Sequence, residues 1–342
     1  MSFHIKLATN CFLAIAAVTL VIFLTEITSS WILNTRQAAP LNKSAIGRTS
    51  ARLYDVAQEA DLGRVLKKNN TSHAVKASSD GTVIYDVTYK TDEYGRRTVG
   101  QPYLPGNKHL ILFGCSYTYG EGLNDEDTLQ YLFWKKMPRY NVYNYAVHGY
   151  GPHQMLALLQ TGRLPDEIES NEGAAVYVFS DLHLNRALGF MWSAWNYDTP
   201  YYRLNEEGSL ERKGSFRTGR VLITRLYLFL GRSSFLKLIN FDFPLKHSDR
   251  DIRLIAEIIK ESRNQYLKQF HGKFYLLIHP FEAKGDDCVE KLKHFLEGSG
   301  IDILYYPSQD DLRADEYTIK GDGHPNRKLN EFLANNLAQD LA

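Results

Sequence analysis

The alternation of apolar and polar positions divides the 342-residue chain into an apolar block, a polar stretch and a long strand–helix alternation. Residues 7–24 read LATNCFLAIAAVTLVIFL without a charge, between Lys6 and Glu26. At about 1.5 Å per residue, a helix of this length reaches across a bilayer. The run is long for the apolar part of a signal peptide. It also lacks the polar stripe of a core helix, so it reads as an uncleaved membrane anchor within residues 1–33. Lys6 places the N-terminus inside, against the opposing pull of Arg36, Lys43 and Arg48, so the rest of the chain is expected on the extracytoplasmic side. Residues 34–105 read as a tether with a small strand-bearing segment. A short helix is expected near 49–62, a strand at 82–90 (TVIYDVTYK, period two) and a turn at 92–97.

From His109 the pattern changes. Short apolar runs at 109–114, 140–146, 174–180, 274–278 and 301–306 predict five buried strands. Helical spacing at 128–137, 152–161 and 326–341 alternates with them. This order predicts one α/β domain over 106–342: a three-layer α/β/α sandwich around a central parallel five-stranded sheet. Residues 188–247 interrupt the alternation with an aromatic- and arginine-rich stretch, too long for a simple loop. They are expected to form an insertion that lids or walls a cleft.

Composition narrows the partners. The 40 basic and 39 acidic residues leave a formal net charge of +1, with no basic run, so nucleic acid is not expected as a partner. Three cysteines (Cys11, Cys115, Cys288) are too few for a disulfide framework or a four-cysteine zinc site. His148 and His153 lack a paired Cys or carboxylate at ligand spacing, and no metal or cofactor is expected. Gly149-x-Gly151 has Gln154 where the dinucleotide fingerprint needs its third glycine, and no Walker A pattern occurs. Ser234-Phe235-Leu236-Lys237 fits S-x-x-K without the S-D-N or K-T-G partners of penicillin-binding proteins.

Ligands of doubly wound sheets sit at the carboxyl ends of the strands. Gly114-Cys115-Ser116-Tyr117-Thr118-Tyr119-Gly120-Glu121-Gly122 follows the first strand; Ser116 is there either a nucleophile or a helix cap. Val147-His148-Gly149-Tyr150-Gly151-Pro152 follows the second strand, where glycine N–H groups are suited to an oxyanion. Ser180-Asp181-Leu182-His183-Leu184-Asn185-Arg186 follows the third, as site or as cap. Gly321-Asp322-Gly323-His324-Pro325-Asn326 precedes the last helix, and Asp322 stands close enough to orient His324.

Together these blocks resemble the SGNH/GDSL hydrolase superfamily, over residues 109–342. The resemblance implies a flavodoxin-like fold and a serine esterase that cleaves a carboxylic ester. It assigns Ser116, Asp322 and His324 to a triad, and the oxyanion to Ser116, Gly149 and either Asn185 or His183. The substrate would be a small-molecule, glycan or lipid ester. Three departures stand out: Cys115 replaces the usual Asp, Asp322 lies two rather than three residues before His324, and the third block lacks a clean G-x-N-D. Two other readings share these residues: an O-acyltransferase acting on envelope polysaccharide, and a non-catalytic envelope binding protein.

Overall fold

The computed structural model describes residues 2–38, 56–78, 80–282, 287–308 and 312–342. In chain order the strands are β1 (Val56–Glu59), β2 (Gly63–Leu66), β3 (Thr71–Ala77), β4 (Val83–Thr91), β5 (Arg97–Thr98), β6 (Lys108–Phe113), β7 (Tyr140–Asn144), β8 (Glu172–Phe179), β9 (Pro200–Leu204), β10 (Leu210–Ser215), β11 (His271–Ile278) and β12 (Asp302–Tyr305). Half of the helix expected near 49–62 lies outside the described residues; the described half is strand β1 and the turn after it, not helix.

The five strands expected from the apolar runs are β6, β7, β8, β11 and β12. They are parallel, in the order β12-β11-β8-β6-β7. The sheet does not stop at five strands, which corrects the expected size. Beyond β7 it continues through β5, β4 and β3, all antiparallel, to make an eight-stranded mixed sheet. The physical reason is the edge. β7 would otherwise present unpaired backbone groups, and the Arg97–Asn144 pairing covers them. β4 alternates buried and open positions, as an antiparallel strand with one wet face does.

Period-two alternation sorts the parallel strands onto two cores. Leu110, Leu112, Val142, Val176 and Leu277 face helices Leu129–Lys136 and Arg327–Asp340. Ile111, Phe113, Tyr177, Phe179 and Leu276 face helices Pro152–Gln160, Asp249–Gln269 and Asp287–Leu296. The insertion is a folded unit: a turn at Met191–Asn196, the β9–β10 hairpin, and helices Phe216–Gly219, Val221–Leu230 and Ser234–Leu238. Its small core holds Met191, Tyr197, Phe216 and Tyr227.

The N-terminal helix Ser2–Ala38 is long and apolar enough to cross a membrane. Its residues 13–24 are exposed throughout, and it meets helix Ser234–Leu238 of the insertion.

Arg97 ties the antiparallel extension to the loop after β6. Its buried guanidinium donates to the carbonyls of Tyr119 (2.9 Å), Gly120 (2.6 Å) and Leu123 (2.8 Å), and to Asp125 Oδ1 (3.1 Å). The rings of Tyr89 and Tyr119 lie 4.8 and 5.1 Å from it. Arg97→Met leaves three buried carbonyls without this donor. A loss of about 3–5 kcal/mol in chemical denaturation is expected. A loss below about 1 kcal/mol would show that the loop holds its shape unaided.

Candidate active site

β6 ends at Phe113, and the chain turns at once into the short helix Ser116–Tyr119, with Cys115 as its N-cap. Gly120 closes that helix in a left-handed conformation, and the Gly120 and Glu121 N–H groups both donate to the Ser116 carbonyl at 3.0 Å. Asn144, at the end of β7, donates to the Thr118 carbonyl at 3.1 Å. Ser116 thus stands at the carboxyl end of β6, the strand flanked by β7 and β8 where the order of the sheet reverses. It is only 4% exposed.

The loop before the last helix delivers the other two groups. A bridge between Thr318 and Pro325 and the Ile319 N–H bond to the His324 carbonyl (2.8 Å) pin its ends. Asp322 sits at the tip, with Gly321 at φ +81°. A side chain is strained at that φ, so glycine holds the position three residues before His324, and the carboxylate comes one residue later. Asp322 Oδ2 bonds His324 Nδ1 and accepts the His324 backbone N–H at 3.2 Å. His324 Nε2 lies 2.9 Å from Ser116 Oγ. The structure therefore brings Ser116, His324 and Asp322 into one hydrogen-bonded chain across 208 residues of sequence.

Asp322 is itself buried and reaches back to β3, where Lys76 Nζ bonds its Oδ1. Burial pushes the Asp322 carboxyl up, but the bonds and charges of His324 and Lys76 outweigh it and hold it down at about 2. Neither the motif nor the spacing pointed to Lys76, which lies in TSHAVKA, a strand with no functional signature.

Glu121 is the other group that motif matching passed over. It is buried, and its Oε2 lies 3.3 Å from His324 Nε2 and 2.7 Å from His148 Nδ1, while the Tyr85 hydroxyl donates to its Oε1 at 3.5 Å. A second carboxylate therefore faces the nitrogen that faces Ser116. Gly149 follows His148 directly. The insertion covers it: Asn196 donates to its carbonyl at 3.3 Å, and a Cβ on Gly149 would come within 2.2 Å of the Trp195 ring. Arg64 lies over that ring at 5.2 Å and donates to the His148 carbonyl at 3.1 Å.

The third block sits differently. His183 is fully buried, its Nδ1 accepting the Tyr177 hydroxyl at 2.7 Å, and burial holds the ring neutral. Asn185 Oδ1 accepts from His247 Nε2 at 2.6 Å, at the end of the insertion. Both side chains are engaged outside the Ser116–His324–Asp322 chain. Beside this block, Glu282 after β11 is buried, and burial followed by the nearby Asp181 charge raises its carboxyl to about 7. Tyr117 stands next to the chain, its ring 5.3 Å from His324 and 4.9 Å from His279. Among the described residues, no three His, Cys, Asp or Glu side chains converge as metal ligands.

No protein-family model and no curated protein matches the chain. Solved structures do. One is assigned to the lipolytic G-D-S-L family and comes from Desulfitobacterium hafniense: 10% identity, 68% of this chain and 99% of that one, TM-score 0.35. Another is TesA: 13% identity, 68% and 98% coverage, TM-score 0.37. A third is the psychrotrophic esterase EstA of a Pseudoalteromonas species: 12% identity, 69% and 99% coverage, TM-score 0.37.

Asp322 makes stability depend on acid. Its folded-state value of about 2 lies below the ordinary 3.8, so its contribution is present above about pH 4 and is lost as pH falls toward 2. The shift corresponds to about 2 kcal/mol. Lys76→Met removes one of the groups that lower it, so the acid-unfolding midpoint followed by circular dichroism should move to higher pH. An unchanged midpoint would mean that the ion pair does not couple to folding.

Proposed function

We propose that the protein is a serine esterase that hydrolyses a carboxylic ester through an acyl-enzyme on Ser116. The observation that carries this reading is the 2.9 Å contact between Ser116 Oγ and His324 Nε2, with Asp322 bonded behind the imidazole. In this mechanism His324 Nε2 takes the Ser116 proton as Oγ attacks the ester carbonyl. Asp322 fixes the tautomer with the proton on Nδ1 and stabilises the imidazolium, as the orienting carboxylate of such a triad does. Lys76 keeps Asp322 ionised. The Glu121 carboxylate, 3.3 Å from Nε2, adds to the stabilisation of the imidazolium, and His148 holds Glu121 in place. The proton on Nε2 then passes to the leaving alcohol. In the second half, His324 takes a proton from water as it attacks the acyl carbonyl, and Ser116 leaves with that proton.

The N–H groups of Ser116 and Gly149 are assigned to the oxyanion; they lie at the ends of adjacent parallel strands, as such a hole requires. The bonds that His183 and Asn185 make use His183 Nδ1 and Asn185 Oδ1, so Asn185 Nδ2 or His183 Nε2 is the third candidate donor. The N-terminal helix is read as the anchor, with the α/β domain on the extracytoplasmic side.

Purified full-length protein in detergent should be labelled by a fluorophosphonate on Ser116, located by peptide mass spectrometry. It should also turn over p-nitrophenyl acetate with release of acetate. Ser116→Ala should abolish both. Asp322→Asn should lower turnover by roughly 10⁴ while leaving the protein folded. Absence of label together with absence of turnover in the folded wild type would overturn the esterase reading.

A further inference from the structure

The insertion carries more exposed apolar surface than its own core explains. Helix Val221–Leu230 buries Thr224 and Tyr227. Its opposite side, Leu222, Ile223, Leu226 and Phe229 with the single charge of Arg225 among them, faces outward, with Leu222 81% and Phe229 71% exposed. The chain just beyond adds Phe235, Ile239, Phe243 and Leu245, also exposed. A run of outward leucine and phenylalanine of this size marks a surface that meets something apolar.

The N-terminal helix indicates what that is. Its apolar run ends at Leu24, and two residues later Glu26 grips the insertion. Ser233 Oγ donates to Glu26 Oε1, and the Ser234 N–H donates to Oε2 at 2.7 Å. From Thr25 to Leu33 the helix is partly covered on one side by the domain, whereas 13–24 is bare. Residues 7–24 span about 27 Å at 1.5 Å each, close to the thickness of a bilayer's hydrocarbon layer. The apolar stretch of the helix continues past Glu26 to Thr35, but its unbroken exposed part is 13–24; with the uncharged run 7–24 in the hydrocarbon layer, Glu26 falls at headgroup level. Helix Ser234–Leu238 is held at that level, and helix Val221–Leu230 is joined to it through three residues, 231–233.

We propose that the exposed face of Val221–Leu230, with the apolar side chains between Phe235 and Leu245, lies in the interfacial layer of the membrane that the N-terminal helix crosses. The helix is apolar nearly all round, at ten residues is too short to span, and carries its one charge, Arg225, on the exposed side, where a guanidinium can reach lipid phosphates while its stem stays among the apolar side chains. This inference rests on reading the N-terminal helix as an anchor and is independent of the esterase chemistry. It has a consequence for the site. The Met191 N–H donates to the Phe243 carbonyl at 3.1 Å and the Trp192 N–H to Asp242 Oδ1 at 3.2 Å, so the turn that carries Trp195 and Asn196 hangs from this surface. The wall over Gly149 is thereby fastened to a membrane-seated element.

The test uses the full chain in phosphatidylcholine–phosphatidylglycerol nanodiscs, with Cys11→Ser and Cys288→Ser and the buried Cys115 retained. A nitroxide is attached in turn after Leu222→Cys, Phe229→Cys, Leu20→Cys within the span, and Lys135→Cys on the exposed side of helix Leu129–Lys136 as a water-facing control. Collision with oxygen and with a soluble nickel chelate is then compared. Positions 222 and 229 should resemble position 20, favouring oxygen and excluding nickel. Nickel access at 222 and 229 equal to that at 135, with position 20 still protected, would overturn the proposal alone. Nickel access at position 20 as well would bring down the anchor and the proposal together. Near-UV circular dichroism and a thermal midpoint unchanged from the parent protein report in each variant that the domain is folded, whatever the chemistry of Ser116.

Discussion

Asp322 is the point on which three separate parts of the chain converge. A carboxylate with a fully buried side chain is costly unless its charge is matched and its oxygens are bonded. Here one oxygen takes the Lys76 ammonium from β3 and the other takes the His324 ring and backbone. The arrangement is all or nothing. Without β3 there is no Lys76, without Lys76 the carboxylate is unmatched, and without the carboxylate the imidazole facing Ser116 loses its orientation. The antiparallel extension is therefore more than an edge cover for the parallel sheet. It supplies the charge that lets the site contain a buried anion.

Arg97 plays the same part for the opposite wall. It comes from β5, in the same extension, and its guanidinium gathers the carbonyls of residues 119, 120 and 123. Those carbonyls bracket Glu121. The Gly122 N–H donates to the Tyr89 hydroxyl of β4 at 2.7 Å, closing the loop from the other side. Glu121 is thus held beside His324 Nε2 by backbone fixed at both of its neighbours. Two cations from the extension, Lys76 and Arg97, position the two carboxylates that flank one imidazole, one bonding its carboxylate directly and the other clamping the loop that carries it.

What was legible in the sequence follows from how local each signal is. Four of the parallel strands, β6, β7, β8 and β11, are apolar runs because both of their faces are buried along most of their length, and such runs stand out without knowledge of the fold; β12, at the edge, is only partly covered. Ser116 and His324 lie in glycine-rich turns at strand and helix ends, where short motifs record a local backbone requirement. Lys76 is the opposite case. Its role depends on a partner 246 residues away, and TSHAVKA carries no local trace of it. The size of the sheet was missed for the same reason. The period-two pattern of β4 marks a strand, but whether that strand pairs within a separate small segment or joins the main sheet is decided by the open edge of β7. Glu121 stood in view within the first block, yet only the fold shows that its side chain turns back toward His324. His183 and Asn185 drew attention only as polar residues after an apolar strand. Their actual partners, Tyr177 and His247, are set by the packing of helix Leu182–Leu188 and the end of the insertion.

The insertion links these constraints to the chain's first feature. An apolar helix at the N-terminus and an apolar stripe some 200 residues later look unrelated along the sequence, and each has an ordinary explanation alone. The Glu26 carboxylate joins them by accepting the Ser234 N–H, the first of helix Ser234–Leu238, and the hydroxyl of its N-cap Ser233. An acidic side chain directly after an uncharged apolar run is at home at headgroup level and out of place deeper in lipid. The contact therefore sets the height of the insertion relative to the anchor, and the insertion sets the height of Trp195 and Asn196 over Gly149. With the N-terminal helix as the anchor proposed above, the orientation of the site toward the membrane follows from the Glu26 contact and two hydrogen bonds to a turn.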